Sequence, residues 1–472
     1  MPSHPALNPG RDLTPRHSGR RIFFALPPKA CTVPPMSEVQ PASRRPWAWI
    51  PTLYFAEGLP YALTMSVAVV LYKNLGLSNA AITFYTGWLY LPWVIKPLWS
   101  PLVDRLKTRR QWIWAMQWLI GVALAGVALT LPTTHFFQLS LAFFWLVAFS
   151  SATHDVAADG FYILANTEQQ QSFFSGIRNT CYRVANISAQ GGVVWLAGKI
   201  HDRTGSYISA WTVSFGVMAG LLVGLGAYHY FLLPRPVSDR PGNPPGQPGR
   251  AAQPTLEAEF LQTFGTFFQK PEILIGLLFI LTYRLGEAQL VRLVQLFLLD
   301  PRTQGGLGLN NHQVSLVYGT FGVLALTLGG LLGGWVVSRR GLKFWLWPML
   351  FAIHLPDAVF IWLAYAQPAS VHWIATGVAM EQFGYGFGFT ALMMYMIYLA
   401  RGAHPTAHYA ICTGFMALGM MLPGLWSGWL QQHLGYQHFF LWVVLATIPS
   451  FIVATRLPLD TEFGRRPAPS PG

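Results

Sequence analysis

The chain has 472 residues, 53% of them hydrophobic and only 10% charged. A water-soluble domain carries roughly 25% charged residues, so a globular protein facing water on all sides is excluded. The formal net charge of +13 needs no nucleic acid: the basic residues cluster beside apolar runs, where anionic lipid attracts them.

In chain order, residues 1–46 are polar, rich in Pro and Arg and without periodicity, and read as a disordered cytoplasmic tail. Met36 is the expected true start. Apolar runs long enough to cross about 30 Å of hydrocarbon then recur. They predict helices at 47–73, 80–103, 112–131, 136–164, 173–198 and 207–233, then at 272–299, 313–338, 343–365, 370–400, 407–431 and 437–456. The fold class is therefore all-α integral membrane, with twelve spans in two six-helix halves, 47–233 and 272–456. The Pro- and Gly-rich stretch within 234–271 is a cytoplasmic linker, and its segment 256–268 mixes acids with Phe, as a helix lying on a membrane surface would. Residues 457–472 form a second cytoplasmic tail.

Orientation follows from charge. With both termini in the cytoplasm, inner tails and loops hold 21 of the 31 Lys and Arg residues. The opposite face holds Lys73, Lys199, Arg203 and Arg302. This is the positive-inside bias. The halves also repeat: Leu75-Gly76-Leu77-Ser78-Asn79 returns as Leu307-Gly308-Leu309-Asn310-Asn311, an offset of 307 − 75 = 232. Glu57 falls opposite Glu287, Asp104-Arg105 opposite Ser338-Arg339, and Cys181 opposite Cys412.

A charge at the bilayer centre costs roughly 2.5–3.5 kcal/mol even on lenient scales, so each one needs a partner or a watery cavity. In span one, Glu57 stands beside Gly58 and Pro60, where the missing Pro N–H leaves local backbone polar. It serves either a proton or a neighbouring helix. Asp155 and Asp159 lie four apart on one face of span four, and two such carboxylates do not both ionise cheaply in a low dielectric. Arg178 and Arg183 on span five are their expected partners, for proton carriage or as a structural clamp. In span seven Arg284 and Glu287, three apart, are expected to pair, and Arg292 has no local partner, which suits an anionic solute. Glu381 precedes the flexible run Gly384-Tyr385-Gly386-Phe387-Gly388. Lys96 is expected to snorkel, and His354 and Asp357 on span nine to be structural. Tyr54, Tyr61 and Tyr283 are candidates for stacking on sugar rings. The sequence shows no metal-ligand spacing, no nucleophile elbow and no phosphate-cradling loop, so no enzyme, metal or cofactor is expected.

Six plus six spans with a long central loop resemble the major facilitator superfamily. So does Asp104-Arg105-Leu106-Lys107-Thr108-Arg109-Arg110, similar to that superfamily's acidic-basic loop. The resemblance implies a cytoplasmic latch at Asp104, Arg105 and Arg109, weakened in the second half, where Ser338 precedes Arg339. More specifically, Gly58-Leu59-Pro60, Leu98-Trp99-Ser100-Pro101-Leu102-Val103-Asp104-Arg105, Ser151 through Asp159, Tyr182-Arg183 and Tyr283-Arg284-Leu285-Gly286-Glu287-Ala288 resemble the AmpG muropeptide permeases. Departures are His154 where that family often has Gln, and Arg284 and Glu287 where it has Lys and Asp.

The resemblance implies proton-driven import of anhydromuropeptides across a bacterial inner membrane for peptidoglycan recycling. The group also contains relatives that look like siderophore importers and acetyl-CoA carriers, so another bulky solute of siderophore, glycan or acyl-CoA type is the alternative, and a non-transporting membrane sensor is the rival class. The expected central site has Asp155, Asp159, Glu57 and Glu287 coupling protons, with Arg183, Arg284, Arg292, Glu381, Tyr54, Tyr61 and Tyr283 on the solute. The expected partners are the solute, the proton and the bilayer, with the protein working as a monomer.

Overall fold

The computed structural model describes residues 45–237, 239–241, 264–401, 405–461 and 463–464. Residues 1–44 with Met36, and residues 256–263 of the surface segment expected at 256–268, lie outside them, as do the side chains of Asp104 and Arg105.

Among the described residues all regular structure is helical, and twelve helices follow the twelve predicted spans. They are α1 (Pro46–Asn74), α2 in two pieces (Asn79–Trp88 and Leu91–Leu106), α3 (Arg109–Thr130) and α4 (Phe136–Ala165). Then come α5 (Glu168–Ile187, carried on through Ser188–Val193 and Val194–Thr204), α6 (Tyr207–Leu232), α7 (Ile273–Leu299), α8 (Asn311–Arg340), α9 (Leu342–Ala366) and α10 (Val371–Leu399). The last two helices run on from each other in Pro405–Leu445. Gly435, at φ 70° and ψ 167°, separates α11 from α12, and Ile448–Ala454 continues the latter. A side chain would strain that backbone.

Local chemistry sets the boundaries. Thr108 with Gln111, Thr167 with Gln170 and Asn310 with Gln313 form capping boxes at the starts of α3, α5 and α8. The internal repeat folds the same way twice: Gly76 and Gly308 take φ of 85° and 65°, and Ser78 and Asn310 cap the helices that follow. Three helices are broken where their windows looked continuous. α2 breaks ahead of Pro92, α7 at Arg284 (φ −114°, ψ 22°), and α9 at a 3-10 turn, Leu355–Asp357, containing Pro356. π-helical turns interrupt α1 at Leu63–Val67, α5 at Ser188–Val193 and α8 at Ser315–Gly322.

Eight stretches are long and apolar enough to cross a membrane, one of them, His408–Ala454, spanning both α11 and α12. Those left out are α2, α5 and α10. α2 packs on α11 and α5 on α8, so both face the other half rather than lipid, which relaxes the demand for apolar side chains. Lipid-facing positions keep that demand: Leu129, Phe231, Leu274 and Leu331 are all exposed. The halves share one apolar core at the end that carries the 74–79 and 299–311 loops, running from Leu71 and Trp211 to Phe297 and Phe440. At the other end each half has its own core, around Trp49 and Phe161 in one and Leu342 and Tyr395 in the other. Gly319 on α8 lies so close to Gln190 and Gly191 on α5 that a Cβ has no room.

Candidate functional site

Three groups of buried polar side chains lie on or between the halves. The first belongs to the N-terminal half. Glu57 is buried on α1, with Asp159, Asp155, Arg178 and Lys96 acting on it electrostatically. Asp155 accepts from Trp93 Nε1 at 2.9 Å and faces Lys96 Nζ at 3.9 Å. Asp159 pairs with Arg178 at 2.6 Å and accepts from the Tyr54 hydroxyl at 3.3 Å. The Arg178 guanidinium lies over the Tyr54 ring at 4.3 Å and the Tyr162 ring at 5.0 Å. The Asp159 side chain is 47% exposed, so this cluster is the wet one.

The expected face shared by Asp155 and Asp159 is present, but their partners differ from the sequence reading. Arg178 takes Asp159, while Arg183 reaches Thr327 on α8 at 3.4 Å and so bridges the halves. Lys96, expected to snorkel, has Asp155 within ion-pair reach.

The second group is in the C-terminal half. Glu287, Asp357 and Glu381 come from α7, α9 and α10, and their carboxylate oxygens lie within 4.8 Å of one another. All three residues are at most 1% exposed. Gln382 Nε2 donates to both Glu381 oxygens, at 3.0 and 3.3 Å. Among the described residues, neither carboxylate oxygen of Glu287 or of Asp357 has a hydrogen-bond partner.

Two expectations are corrected here. Arg284 and Glu287 do not pair, because the break at Arg284 destroys the i,i+3 geometry. The Arg284 guanidinium instead meets the Tyr385 hydroxyl and lies 4.9 Å over the Tyr385 and Phe389 rings. Asp357 is no peripheral residue, since the Pro356 turn carries it to Glu287 and Glu381. His354 keeps a structural contact, with Ser450 Oγ at 3.1 Å. The three acids are far apart in sequence, so no ligand spacing could have shown them.

Between the halves, Arg292 is buried on α7 with its Nη1 unpartnered among the described residues, in the field of Tyr61, Tyr90 and Tyr318. Tyr61 donates to Tyr90 at 3.3 Å and meets the Trp93 ring edge-on at 5.2 Å. Aromatic side chains thus stand around a buried guanidinium that has one N–H group without a hydrogen-bond acceptor among the described residues. Tyr283 is not one of them: fully buried, it donates to Gly388 O at 2.7 Å and packs on Phe279 and His354.

The third group closes the shared end, and sequence reading had assigned these residues no site role. Lys73 forms an ion pair with Asp300 across the halves and donates to Asn79 Oδ1 at 2.8 Å. Asn79 Nδ2 donates to Asp300 at 2.8 Å and to Gln431 and the Tyr436 hydroxyl at 3.0 Å, and Tyr436 donates to Asp300. From the other half Asn311 donates to Asn74 at 2.7 Å, and His312 meets Asp202 at 2.8 Å. Asn79 and Asn311 are the last residues of the repeated motif, and each reaches into the half it does not belong to. That repetition was the available signal.

At the opposite end the start of α3 is fastened by an acid the sequence did not single out. The backbone N–H groups of Arg109 and Arg110 donate to Asp239 at 2.8 and 3.1 Å, where helix dipole and carboxylate attract. The Arg109 side chain is buried against Gly160. Arg339 is exposed and lies 4.4 Å over the Trp335 ring of its own helix, and Ser338 bonds back to Trp335 O. The second-half counterpart therefore makes no cross-helix contact through either residue among the described contacts.

Comparison with known proteins places these groups in context. The Major Facilitator Superfamily profile matches residues 52–408. The Escherichia coli K12 protein named anhydromuropeptide permease is 28% identical over 422 residues, covering 88% of this chain and 80% of that one. A Rickettsia conorii protein named putative transporter AmpG 4 is 24% identical over 412 residues, with 85% and 94% covered. Among solved structures, the nucleoside transporter NupG superposes with a TM-score of 0.61 at 17% identity, covering 86% of this chain and 98% of that one. A D-xylose–proton symporter gives 0.65 at 12%, covering 88% and 98%.

Proposed function

The chain belongs to the major facilitator superfamily as an AmpG-like, multi-pass membrane permease rather than an enzyme, and from that premise we propose that it imports anhydromuropeptides by proton symport. The setting of this reading is a bacterial inner membrane with both termini in the cytoplasm. The similarity to the anhydromuropeptide permease over 88% of the chain supports the solute class. The observation that carries proton coupling is the wet cluster of Glu57, Asp155 and Asp159, which sets three carboxylates against two cations, Lys96 and Arg178. The excess acid is neutralised most cheaply by a proton.

In this reading the Lys73–Asp300 end is the outer gate and the two halves rock about the cavity between them. A proton arriving from outside neutralises one carboxylate of the wet cluster. Arg178 is then released from Asp159, while Arg292 and the Tyr61–Tyr90–Trp93 wall hold the anionic, sugar-bearing solute. Arg183, which bridges to Thr327, changes partner as the halves move. Opening to the cytoplasm lets proton and solute leave. Each net positive charge carried inward, once protons outnumber the solute's negative charges, gains about 2.3 kcal/mol per 100 mV, enough for roughly fiftyfold accumulation.

The test is uptake of radiolabelled anhydromuropeptide by cells that lack their own permease and express this chain, with and without a protonophore. Accumulation that collapses with the protonophore is expected. Absence of uptake despite membrane insertion would discard the muropeptide assignment.

A further inference from the structure

The acids of the C-terminal half differ in kind from the wet cluster. Asp155 and Asp159 each face a cation. Glu287, Asp357 and Glu381 form no ion pair among the described residues, and four of their six oxygens have no hydrogen-bond partner while fully enclosed. Up to three negative charges in low dielectric, unpaired, is an arrangement that membrane proteins do not keep without compensation. Arg284 is the nearest base acting on Glu287, and it is spent on Tyr385 and Phe389.

We propose that Glu287, Asp357 and Glu381 together bind one sodium ion, with protons on the acids whose charge it does not balance, a coupling-ion site distinct from the wet cluster. Three oxygens no more than 4.8 Å apart can all lie within about 2.8 Å of a central point (4.8/√3), close to the roughly 2.3–2.6 Å that oxygen ligands keep from an ion of calcium size. Na+ has nearly that radius. Mg2+ demands about 2.0–2.1 Å and keeps its waters, which a fully enclosed site does not supply. A divalent ion held by three enclosed carboxylates would leave too slowly for a carrier that must release it every cycle.

The backbone adds an independent pointer. Two broken helices meet here: α7 is interrupted three residues before Glu287, and α9 is interrupted at Asp357 itself. Pro356 has no N–H to give the Ala352 carbonyl, and the C-terminal, negative end of the first half of α9 points toward Asp357. Paired discontinuous helices whose freed carbonyls face the interior are how membrane carriers build alkali-cation sites. Gln382 fixes the Glu381 carboxylate from the side, as outer hydrogen bonds fix ion ligands.

The experiment uses purified full-length protein at fixed pH and ionic strength, with NaCl exchanged against choline chloride, and reads 22Na+ retention alongside thermal unfolding. Saturable 22Na+ binding and an unfolding temperature that climbs with Na+ concentration are expected. Asp357→Asn and Glu381→Gln should weaken binding about tenfold or more, and Asp159→Asn should leave it unchanged. The wild-type measurement stands even if a variant fails to fold. No retained 22Na+ and equal stability in sodium and choline would overturn the proposal. So would stabilisation by acid alone, which marks a shared proton, or preference for Ca2+ over Na+. Each of these leaves protonophore-sensitive uptake to be judged separately.

Discussion

Replacing Asp300 by Asn should loosen the shared end without unfolding the protein. Asp300 is the acceptor on which Lys73, Asn79 and Tyr436 converge, and its side chain is 3% exposed against 17% for Lys73. Breaking a buried ion pair by removing one partner costs about 3–5 kcal/mol. Asn keeps one acceptor oxygen and Lys73 touches some water, so about 3 kcal/mol is the better figure here. When the gate opens both groups are hydrated, so nearly all of that cost falls on the closed state, and the closed-to-open ratio should drop about a hundredfold. Spin labels at Thr204→Cys, exposed at the end of α5, and Thr303→Cys, exposed in the 3-10 turn after α7, would report the gap by pulsed electron resonance once Cys31, Cys181 and Cys412 are replaced. A new long-distance population is expected in Asp300→Asn, and the swap Lys73→Asp with Asp300→Lys should restore much of the closed state. An unchanged distribution in folded Asp300→Asn protein would refute the assignment of this network as a gate.

Three further outcomes follow from the same geometry. Asp159→Asn should cut protonophore-sensitive accumulation at least about tenfold while changing stability by less than about 1 kcal/mol, since the Asp159–Arg178 pair is partly exposed; full accumulation in the double variant with Asp155→Asn would sink the proton assignment. Gly319→Val has no room against Gln190 and Gly191 and should cost about 1–3 kcal/mol by overpacking, splaying α5 from α8 in the spin-label assay; normal spacing and uptake would show that the contact gives way easily. Tyr283→Phe removes one buried hydrogen bond to Gly388 O, costs about 1 kcal/mol and should leave KM for the solute unchanged, whereas a raised KM would return Tyr283 to the cavity.

The helices were legible because crossing hydrocarbon imposes length and apolarity on the sequence. The windows for α1, α7 and α9 end within one or two residues of the folded helices. Glu57, Asp155 and Asp159 were legible for the same reason in reverse: a charge inside an apolar run is costly and therefore conspicuous. Partner choice was not, because it is settled by helix breaks and by which helix lies alongside. The Arg284–Glu287 pair assumed an unbroken turn, and the turn is broken. Asp357 was judged by its helix's expected position, and Pro356 moved it. The Lys73–Asp300 pair was not legible, since nothing in either segment alone says that the two meet across 227 residues of chain (300 − 73).

The repeat explains why the two acid groups differ. Duplication gives both halves the same six-helix frame, and the frame still closes symmetrically at the shared end, where Asn79 and Asn311 each cross to the other half. Inside the frame the symmetry has been abandoned. Glu57 and Glu287 are counterparts by position, yet Glu57 lies among Lys96, Arg178 and a half-exposed Asp159, whereas Glu287 lies among two further enclosed acids. Helix α1 runs on past Glu57 into a π turn, while α7 breaks just before Glu287 and turns that carboxylate toward α9 and α10. In the proposed cycle the wet cluster, with three carboxylates against two cations, exchanges protons, and the enclosed set, with no cation paired to it, holds an ion away from water. Both sites must then open once in each cycle, the wet cluster to release its proton and the enclosed set, beside the break in α7, to release its ion.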